Sequence, residues 1–326
     1  MTTPVLIDTD PGIDDALGIL LAFGSPEVSI EAVTTVAGNV EVELGTENIF
    51  RILDAVRPAR PPRVAQGAAT PLRQPLVTAP HVHGADGLGN VDRLVDPAGR
   101  PRYPKRPRVL ETLDGADLIL ETVREFSGRL VLIAVGPLTN LALAIQRDGE
   151  ALKQCSRIVI MGGAVMSPGN VTPVAEFNMY VDPEAAAVVF EAGLPIDLVP
   201  LDVTRQVLLT RGALQTSLGR NASTLARFIE DFTAFGFDFG ESRGEGGIYL
   251  HDPLAVAVAL EPDLVKLEPL HVAVEAEGRL TRGMTVADRR DVEPFRKRPP
   301  TCRAALEVDA PRALGFFLER VCRASA

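Results

Sequence analysis

Short apolar runs alternate with helical patterns through the first two thirds of this 326-residue chain. Strands are predicted at 5–7, 30–36, 130–135, 157–161 and 196–201, and helices at 13–24, 42–56, 114–126, 137–147 and 183–192. This alternation is typical of βαβ units, in which helices cover both faces of a parallel sheet. Right-handed crossovers bring the carboxyl ends of the strands to one edge. The predicted fold is therefore α/β and Rossmann-like, with a mostly parallel central sheet flanked by helices.

The rest of the chain departs from this alternation in two places. Residues 57–108 are rich in proline and contain a glycine-rich stretch at 81–90, and a connection of this length inside a domain is usually functional. After residue 201 the pattern is mostly helical to about 239, and two strand-like runs (268–275 and 283–287) precede a last helix at 310–323. Since no linker or internal repeat interrupts the chain, a single domain over 1–326 is predicted.

Four aspartates fall within eight residues, at the junction of the first strand and the first helix. They are Asp8, Asp10, Asp14 and Asp15. Carboxylates this close repel one another unless protons or a cation neutralise them, and Ca²⁺ takes oxygen ligands of this kind. Open α/β sheets also bind ligands beyond the carboxyl ends of their strands. A solvated acidic turn is the alternative, and the number of acids favours a metal site.

Further polar residues follow the later strands. Gly38 and Asn39 follow the second strand, where a simple turn is an equally good explanation. The bend at Gly136-Pro137 leaves the Val135 carbonyl as a possible cation ligand, although an ordinary strand-to-helix turn also explains it. Three polar side chains, Asn170, Glu176 and Asn178, are expected in an irregular stretch. They suit a polyhydroxylated ligand such as a sugar, and a polar surface loop is the alternative.

An imidazole stands beside a carboxylate in the segment 249–253. His251 precedes Asp252, and the following helix is expected to start near Asp252-Pro253, with the aspartate at or near its cap. A lone histidine is more often structural than catalytic. The adjacent carboxylate, at an expected sheet-edge site, favours a catalytic histidine here.

Composition narrows the classes of partner and the location. The net charge of −10 argues against a nucleic-acid backbone as partner. No apolar stretch is long enough to span a membrane, and the N-terminus lacks the features of a signal peptide. Three cysteines without metal-binding spacing are expected to be reduced thiols, so a cytoplasmic location is predicted.

Nine short blocks in this order resemble the inosine-uridine preferring nucleoside hydrolases over about residues 5–323. The blocks are Asp8–Ala16, Gly38-Asn39, His83–Gly89, Gly136–Asn140, Met161–Gly163, Ala175–Asn178, Asp182–Ala186, His251–Pro253 and Gly283–Asp288. The resemblance implies the nucleoside hydrolase fold and hydrolysis of the N-glycosidic bond of ribonucleosides to ribose and a free base. It also implies a homodimer or homotetramer.

The same resemblance assigns roles to individual residues. One Ca²⁺ would be held by Asp10, Asp15, Asp252 and the backbone carbonyl of Val135; Asp14 and Asn39 would bind ribose hydroxyls; Asn170, Glu176 and Asn178 would hold the 5′-hydroxyl side; and His83 and His251 would lie near the base. The chemistry of the residues agrees with this. Asp10 is the expected general base for a cation-positioned water, and His251 the expected general acid for the departing base.

Two departures from related enzymes bear on the choice of base. The chain contains no tryptophan, which excludes a tryptophan sandwich around a purine. Phe235 and Phe239 stand where relatives often carry tyrosine, so they are expected to stack on a base without hydrogen-bonding to it. Purine or pyrimidine preference is left open.

Two other functions compete with this one. Phosphatases of the haloacid dehalogenase type also begin with a strand and Asp-x-Asp, but Gly12 occupies the position where they need threonine or valine. A non-catalytic nucleoside-binding or ribose-binding protein would keep Asn170 and Asn178 but would need no general base. The presence of all the acids and His251 favours the enzyme.

Overall fold

A nine-stranded, mostly parallel sheet crosses the molecule. The computed structural model describes residues 2–105, 109–219, 223–290 and 298–325. The strands are β1 (Thr3–Thr9), β2 (Val28–Thr35), β3 (Arg63–Gln66), β4 (Val131–Ala134), β5 (Arg157–Met161), β6 (Ile196–Val199), β7 (Leu208–Leu209), β8 (Ile248–Tyr249), β9 (Val265–Val274), β10 (Thr285–Asp288) and β11 (Cys302–Val308). The helices are α1 (Ile13–Phe23), α2 (Val42–Val56), α3 (Pro80–His83), α4 (Gly115–Glu125), α5 (Thr139–Leu152), α6 (Phe177–Val181), α7 (Pro183–Glu191), α8 (Leu201–Thr204), α9 (Arg211–Leu218), α10 (Thr224–Ser242), α11 (His251–Leu260) and α12 (Ala310–Ser325).

The order of the strands places a switch point at the centre of the sheet. The order is β10-β9-β11-β6-β5-β4-β1-β2-β3, parallel from β11 to β3, with β9 and β10 antiparallel at one edge. The chain starts at β1, builds outward through β2 to β3, and then returns to place β4 on the other side of β1. Ligands of open α/β sheets bind at such a reversal. The first strand therefore delivers its aspartates to the place where a ligand is expected.

The alternating side chains of β1 show how the sheet is covered on both faces. Val5 and Ile7 pack into one buried apolar cluster with residues of α1, α10, α11 and α12. Leu6 points to the opposite face and packs into a second cluster with α4, α5 and α7. Because both faces are buried, the strand is a continuous apolar run. The α/β prediction with flanking helices is confirmed.

Two regions differ from the sequence predictions. The segment 57–108, expected to be one long connection, contains β3 and α3, because a four-residue strand at the edge of the sheet gives only a weak pattern. The strand β11, which pairs with β6, was not among the predicted elements. In the described part of the chain, no helix combines the length and apolar character needed to cross a bilayer.

Candidate active site

Five chain segments converge at the carboxyl edge of the parallel strands. Asp10 follows β1, Asn39 lies in the turn after β2, Val135 follows β4, a Gly162-Gly163 pair follows β5, and α8 follows β6. A sixth segment, the start of α11, reaches the same edge because α11 packs along α1. The chain thus brings side chains that are distant in sequence into one site.

Asp15 is fixed by three hydrogen bonds at the first turn of α1. One carboxylate oxygen accepts from the backbone N–H of Gly12 (2.8 Å) and from the side-chain amide of Asn39 (3.1 Å), and the other accepts from the Thr9 hydroxyl. These partners leave Asp15 little freedom to turn. The contact with Asn39 also means that a residue predicted to bind ribose holds a carboxylate in this structure.

Asp10 is fully buried, and one of its two carboxylate oxygens accepts a hydrogen bond. Its Oδ2 accepts from the backbone N–H of Asn39 at 2.7 Å, and its Oδ1 has no partner in the ranges that the structure describes. Glycines make room for the two oxygens: a Cβ at Gly38 would lie 2.0 Å from Oδ2, and a Cβ at Gly136 would lie 2.8 Å from Oδ1. The surroundings of Asp10 therefore leave one carboxylate oxygen available to a ligand or a proton.

Three carboxylates lie close enough to share one ion. Oxygens of Asp14, Asp15 and Asp252 lie within 4.8 Å of one another. Burial and the negative charge of Asp15 together raise the pKa of Asp14 to about 8. Burial and the neighbouring carboxylates hold the pKa of Asp10 and Asp252 well above the usual range of an aspartate. These groups must therefore bind either protons or a cation.

The donor set fits a hard divalent cation. None of these four carboxyls pairs with a lysine or arginine of the described residues, and one buried oxygen of Asp10 and one of Asp14 accept no hydrogen bond there. Oxygen ligands of this kind suit Ca²⁺. The three carboxylates that lie close together include Asp14, whereas the predicted ligand set has Asp10 in its place. Asp10 therefore lies beside this group rather than in it.

The carboxylate of Asp8 lies outside the cluster of carboxylates that the sequence predicted. Its Oδ1 accepts from the Thr34 hydroxyl and from the Asn140 side-chain amide (2.7 Å), away from the other three acids. Burial raises its pKa to about 7. The sequence interpretation of four acids in one cluster is wrong for this residue, because Thr34 of β2 and Asn140 of α5 provide its partners.

The residues predicted to hold a 5′-hydroxyl are arranged differently from the expectation. Glu176 is the N-cap of α6 and accepts from the backbone N–H of Asn178, and Asn178 lies inside that helix, so the predicted irregular stretch is wrong there. The side-chain amide of Asn178 donates to the carbonyls of Val135 (2.8 Å) and Met161 (3.2 Å). Asn170, in contrast, is exposed on the loop before α6.

Two histidines lie beside the acids, and both are neutral. Nδ1 of His83 accepts from the backbone N–H of Ile13 (3.1 Å) and lies 3.8 Å from Asp14. Nδ1 of His251 lies 2.7 Å from the hydroxyl of Thr204. Burial lowers the pKa of His83 to about 4 and that of His251 to about 3. Neither ring is an imidazolium at pH 7.

The start of α11 differs in detail from the sequence prediction. The helix begins at His251 and has Leu250 at its N-cap position. Asp252 lies in the first turn but does not cap the helix, because its side chain belongs to the acid group. The first turn of the helix therefore presents both side chains to the site.

The two phenylalanines lie on α10 and are half-buried. Phe235 packs against the apolar cluster that contains α1 and α10. Phe239 meets the ring of His81 edge-on at 6.3 Å, and the guanidinium of Arg243 lies 5.5 Å from its centre. His81 is a neighbour that the sequence prediction did not name.

Sequence reasoning missed the neutral partners of the acids and the histidines. Thr9, Gly12 and Thr204 each make a hydrogen bond that fixes a predicted site residue. Thr9 and Gly12 stand inside the acidic motif, so their position was a usable signal. Thr204 lies 47 residues from its partner and carries no such signal.

Comparison with known proteins decides the family. The profile of the family described as inosine-uridine preferring nucleoside hydrolase matches residues 5–315. The chain belongs to this family. It is therefore a nucleoside hydrolase, an enzyme that breaks the N-glycosidic bond of ribonucleosides, and the phosphatase alternative is wrong. The family is metal-dependent, in agreement with the group of acids.

Similar nucleoside hydrolases cover almost the full chain. The pyrimidine-specific ribonucleoside hydrolase RihA of Salmonella paratyphi B is 38% identical over 291 residues, which are 88% of this chain and 89% of that protein. The purine-preferring ribonucleoside hydrolase from Gardnerella vaginalis is 34% identical, with a TM-score of 0.88 over 99% of both chains. A plant nucleoside hydrolase, PpNRh1, is 35% identical, with a TM-score of 0.88 over 98% of this chain and 99% of that one.

Proposed function

We propose that this nucleoside hydrolase uses Ca²⁺, Asp10 as general base and His251 as the donor to the departing base. The observation that carries the proposal is the buried group of acids, which has no lysine or arginine to neutralise it in the described structure. The group lies at the switch point of the sheet, where α/β proteins bind ligands. We also propose that the whole chain forms one domain, because one sheet runs from β3 to β10.

The cation would be held by Asp10, Asp15, Asp252 and the Val135 carbonyl, with Asp14 close beside them. When bound, Ca²⁺ supplies positive charge that grips ribose hydroxyls and makes a water more acidic. The structure adds one requirement. The Val135 carbonyl already accepts a hydrogen bond from Asn178, so a ligand must use its second lone pair or displace that amide.

Asp10 is suited to take the proton of the attacking water. Its Oδ2 is occupied by the Asn39 N–H, which leaves Oδ1 to accept the proton. As the C–N bond of the nucleoside breaks, positive charge develops on the sugar, as it does in glycosidases. The surrounding carboxylates stabilise that charge.

The sugar and the base have separate groups of partners. Asp14 and Asn39 would bind the ribose hydroxyls, and Asn170, Glu176 and Asn178 would hold the 5′-hydroxyl side. His83, Phe235 and Phe239 would border the base. Because His251 is neutral at pH 7, it would approach the departing base as an N–H hydrogen-bond donor rather than as a ready imidazolium.

Ribose release from a panel of nucleosides tests this proposal. Purified protein is stripped of metal with a chelator, dialysed, and assayed on inosine and uridine with and without added Ca²⁺. We expect release of reducing sugar with Ca²⁺, and at least 100-fold less without it. The panel contains both base types, since one relative is described as pyrimidine-specific and another as purine-preferring.

Two outcomes would contradict the proposal in different ways. Binding of nucleosides without any sugar release would support the non-catalytic alternative. Full activity after removal of the metal would contradict the Ca²⁺ assignment. A homodimer or homotetramer and a cytoplasmic location stay predictions from the sequence.

A further inference from the structure

Thr204 contacts His251 from a buried position at the end of α8. The threonine has no exposed surface, and its hydroxyl oxygen lies 2.7 Å from Nδ1 of His251. Among the described residues, no other group hydrogen-bonds to this hydroxyl, and none hydrogen-bonds to Nε2 of His251. The pair is therefore an isolated contact between one hydroxyl and one ring nitrogen.

The direction of this hydrogen bond sets the tautomer of the ring. If the hydroxyl donates to Nδ1, the ring proton is on Nε2. If the ring donated instead, the hydroxyl proton of Thr204 would be buried without an acceptor, which costs about 1–3 kcal/mol. The first arrangement is therefore preferred.

His83 provides an independent comparison. A backbone N–H can only donate, and the N–H of Ile13 points at Nδ1 of His83 at 3.1 Å. The proton of His83 must then be on Nε2. The two imidazoles beside the acids are thus held in the same way, with Nδ1 facing a protein donor and Nε2–H left for a ligand.

We propose that Thr204 is a positioning residue that holds His251 with its proton on Nε2, so that the ring presents a donor to the departing base. This inference rests on the proposed function, in which His251 serves the leaving group. The hydroxyl of Thr204 does not touch the substrate. It acts by orienting the ring and by keeping the useful nitrogen protonated.

The helix that carries Thr204 is itself anchored. The carboxylate of Asp202 accepts from the backbone N–H groups of residues 165–167, at 2.6–3.1 Å. The guanidinium of Arg205 donates to the carbonyls of Pro168 and Gly169, both at 2.8 Å. Because these contacts lie on both sides of Thr204, α8 is a firm support from which a hydroxyl can orient a ring.

Two substitutions of Thr204 separate positioning from packing. Thr204→Val keeps the shape and removes the hydroxyl, and Thr204→Ser keeps the hydroxyl. Turnover is measured on inosine and on 4-nitrophenyl riboside, whose leaving group needs no proton. The matched control is Thr122→Val in α4, another buried threonine, whose hydroxyl donates to the Leu118 carbonyl of its own helix.

The expected result is a loss confined to the substrate that needs help with its leaving group. Thr204→Val lowers kcat on inosine by about tenfold or more, which is part of the roughly 10²- to 10⁴-fold that a positioned acid or base supplies. Its kcat on the nitrophenyl substrate changes by less than about threefold. Thr204→Ser keeps most of the wild-type kcat on inosine, and Thr122→Val leaves kcat unchanged on both substrates.

Equal losses on both substrates in Thr204→Val would overturn the inference, because they would indicate a general structural effect. An unchanged kcat on inosine would overturn it as well. If the wild-type protein released no ribose from any nucleoside, the proposed function would fail, which is a distinct outcome because no variant is involved.

Nitrogen-15 NMR of the histidine side chains gives a second measurement that does not depend on folding of the valine variant. The chain has only four histidines, and His251→Gln identifies the signals of His251. We expect a protonated Nε2 and an unprotonated Nδ1 for His251, matching His83. The opposite pattern at His251 would overturn the inference.

Discussion

The side-chain amide of Asn178 donates a 2.8 Å hydrogen bond to the backbone carbonyl of Val135. One of these residues is proposed for the 5′-hydroxyl side of the substrate and the other for the cation. Both are buried, and they lie in the first turn of α6 and immediately after β4. The hydrogen bond joins the proposed cation site to the proposed 5′-hydroxyl side, so binding at one is expected to affect binding at the other.

Replacing Asn178 by alanine is expected to reduce discrimination between nucleosides with and without a 5′-hydroxyl. Loss of a hydrogen bond in a buried site costs about 1–3 kcal/mol, or about 5- to 150-fold in kcat/KM. We expect such a loss for uridine and less than about threefold for 5′-deoxyuridine. The check is the ratio of kcat/KM for the two substrates at saturating Ca²⁺. An unchanged ratio would remove Asn178 from the 5′-hydroxyl site.

Asp10 and Asp8 offer a matched pair of buried carboxyls two residues apart. Asp10→Asn removes the proposed base and is expected to lower kcat by about 10²- to 10⁴-fold. Asp8→Asn keeps an oxygen for the Thr34 hydroxyl and the Asn140 amide, so its kcat is expected to stay within about threefold of the wild type. Steady-state rates, with Ca²⁺ binding measured by calorimetry, check both variants. Comparable losses in the two would count against a special role for Asp10.

Binding of Ca²⁺ is expected to release protons near neutral pH. The pKa of Asp14 is raised to about 8, and those of Asp10 and Asp252 are also raised, so the metal-free site holds protons at pH 7. A cation displaces them, and we expect about one proton or more per ion at pH 7 and fewer at pH 9. Calorimetry in buffers of different ionisation enthalpy measures this number. Asp252→Asn is the comparison that should release fewer protons.

The first strand shows how far the sequence could predict this site. The apolar run at 5–7 and the pattern after it predicted a strand followed by a helix, and the structure confirms both elements. Periodicity and turn chemistry are local signals, and β1 and α1 are local elements. The same signals could not separate Asp8 from the other acids, because its partners, Thr34 and Asn140, lie 26 and 132 residues away.

The contacts of Glu176 and Asn178 show what lay beyond prediction. Sequence spacing suggested free polar side chains in a loop, but one caps α6 and the other bonds to Val135, 43 residues earlier. Such partners depend on how α6 docks on the sheet edge, which no local pattern encodes. The long-range contacts of a polar side chain follow from tertiary packing.

Without metal, the protein is expected to lose stability as pH rises from about 6.5 to 8. The folded pKa of Asp8 is raised to about 7 and that of Asp14 to about 8, from 3.8, so their contribution is fully present below pH 3.8 and is lost as pH rises through these values. The histidines oppose this at lower pH. His83 and His251 have lowered pKa values, so their contribution is fully present above about pH 6.5 and is lost as pH falls through about 4 and 3.

Among these four groups, only the two carboxyls therefore change the stability between pH 6.5 and 8. The midpoint temperature of thermal unfolding in chelator should fall over this range. Added Ca²⁺ should reverse the trend, because it competes with protons for Asp14 and stabilises only the folded state. Asp8→Asn should make the decline in chelator shallower and leave the gain from Ca²⁺ intact, since Asp8 lies outside the acid group. Calorimetric scans at half-unit steps of pH measure the slope. A midpoint that rises from pH 6.5 to 8 in chelator would show that the buried carboxyls of the metal-free protein are already ionised.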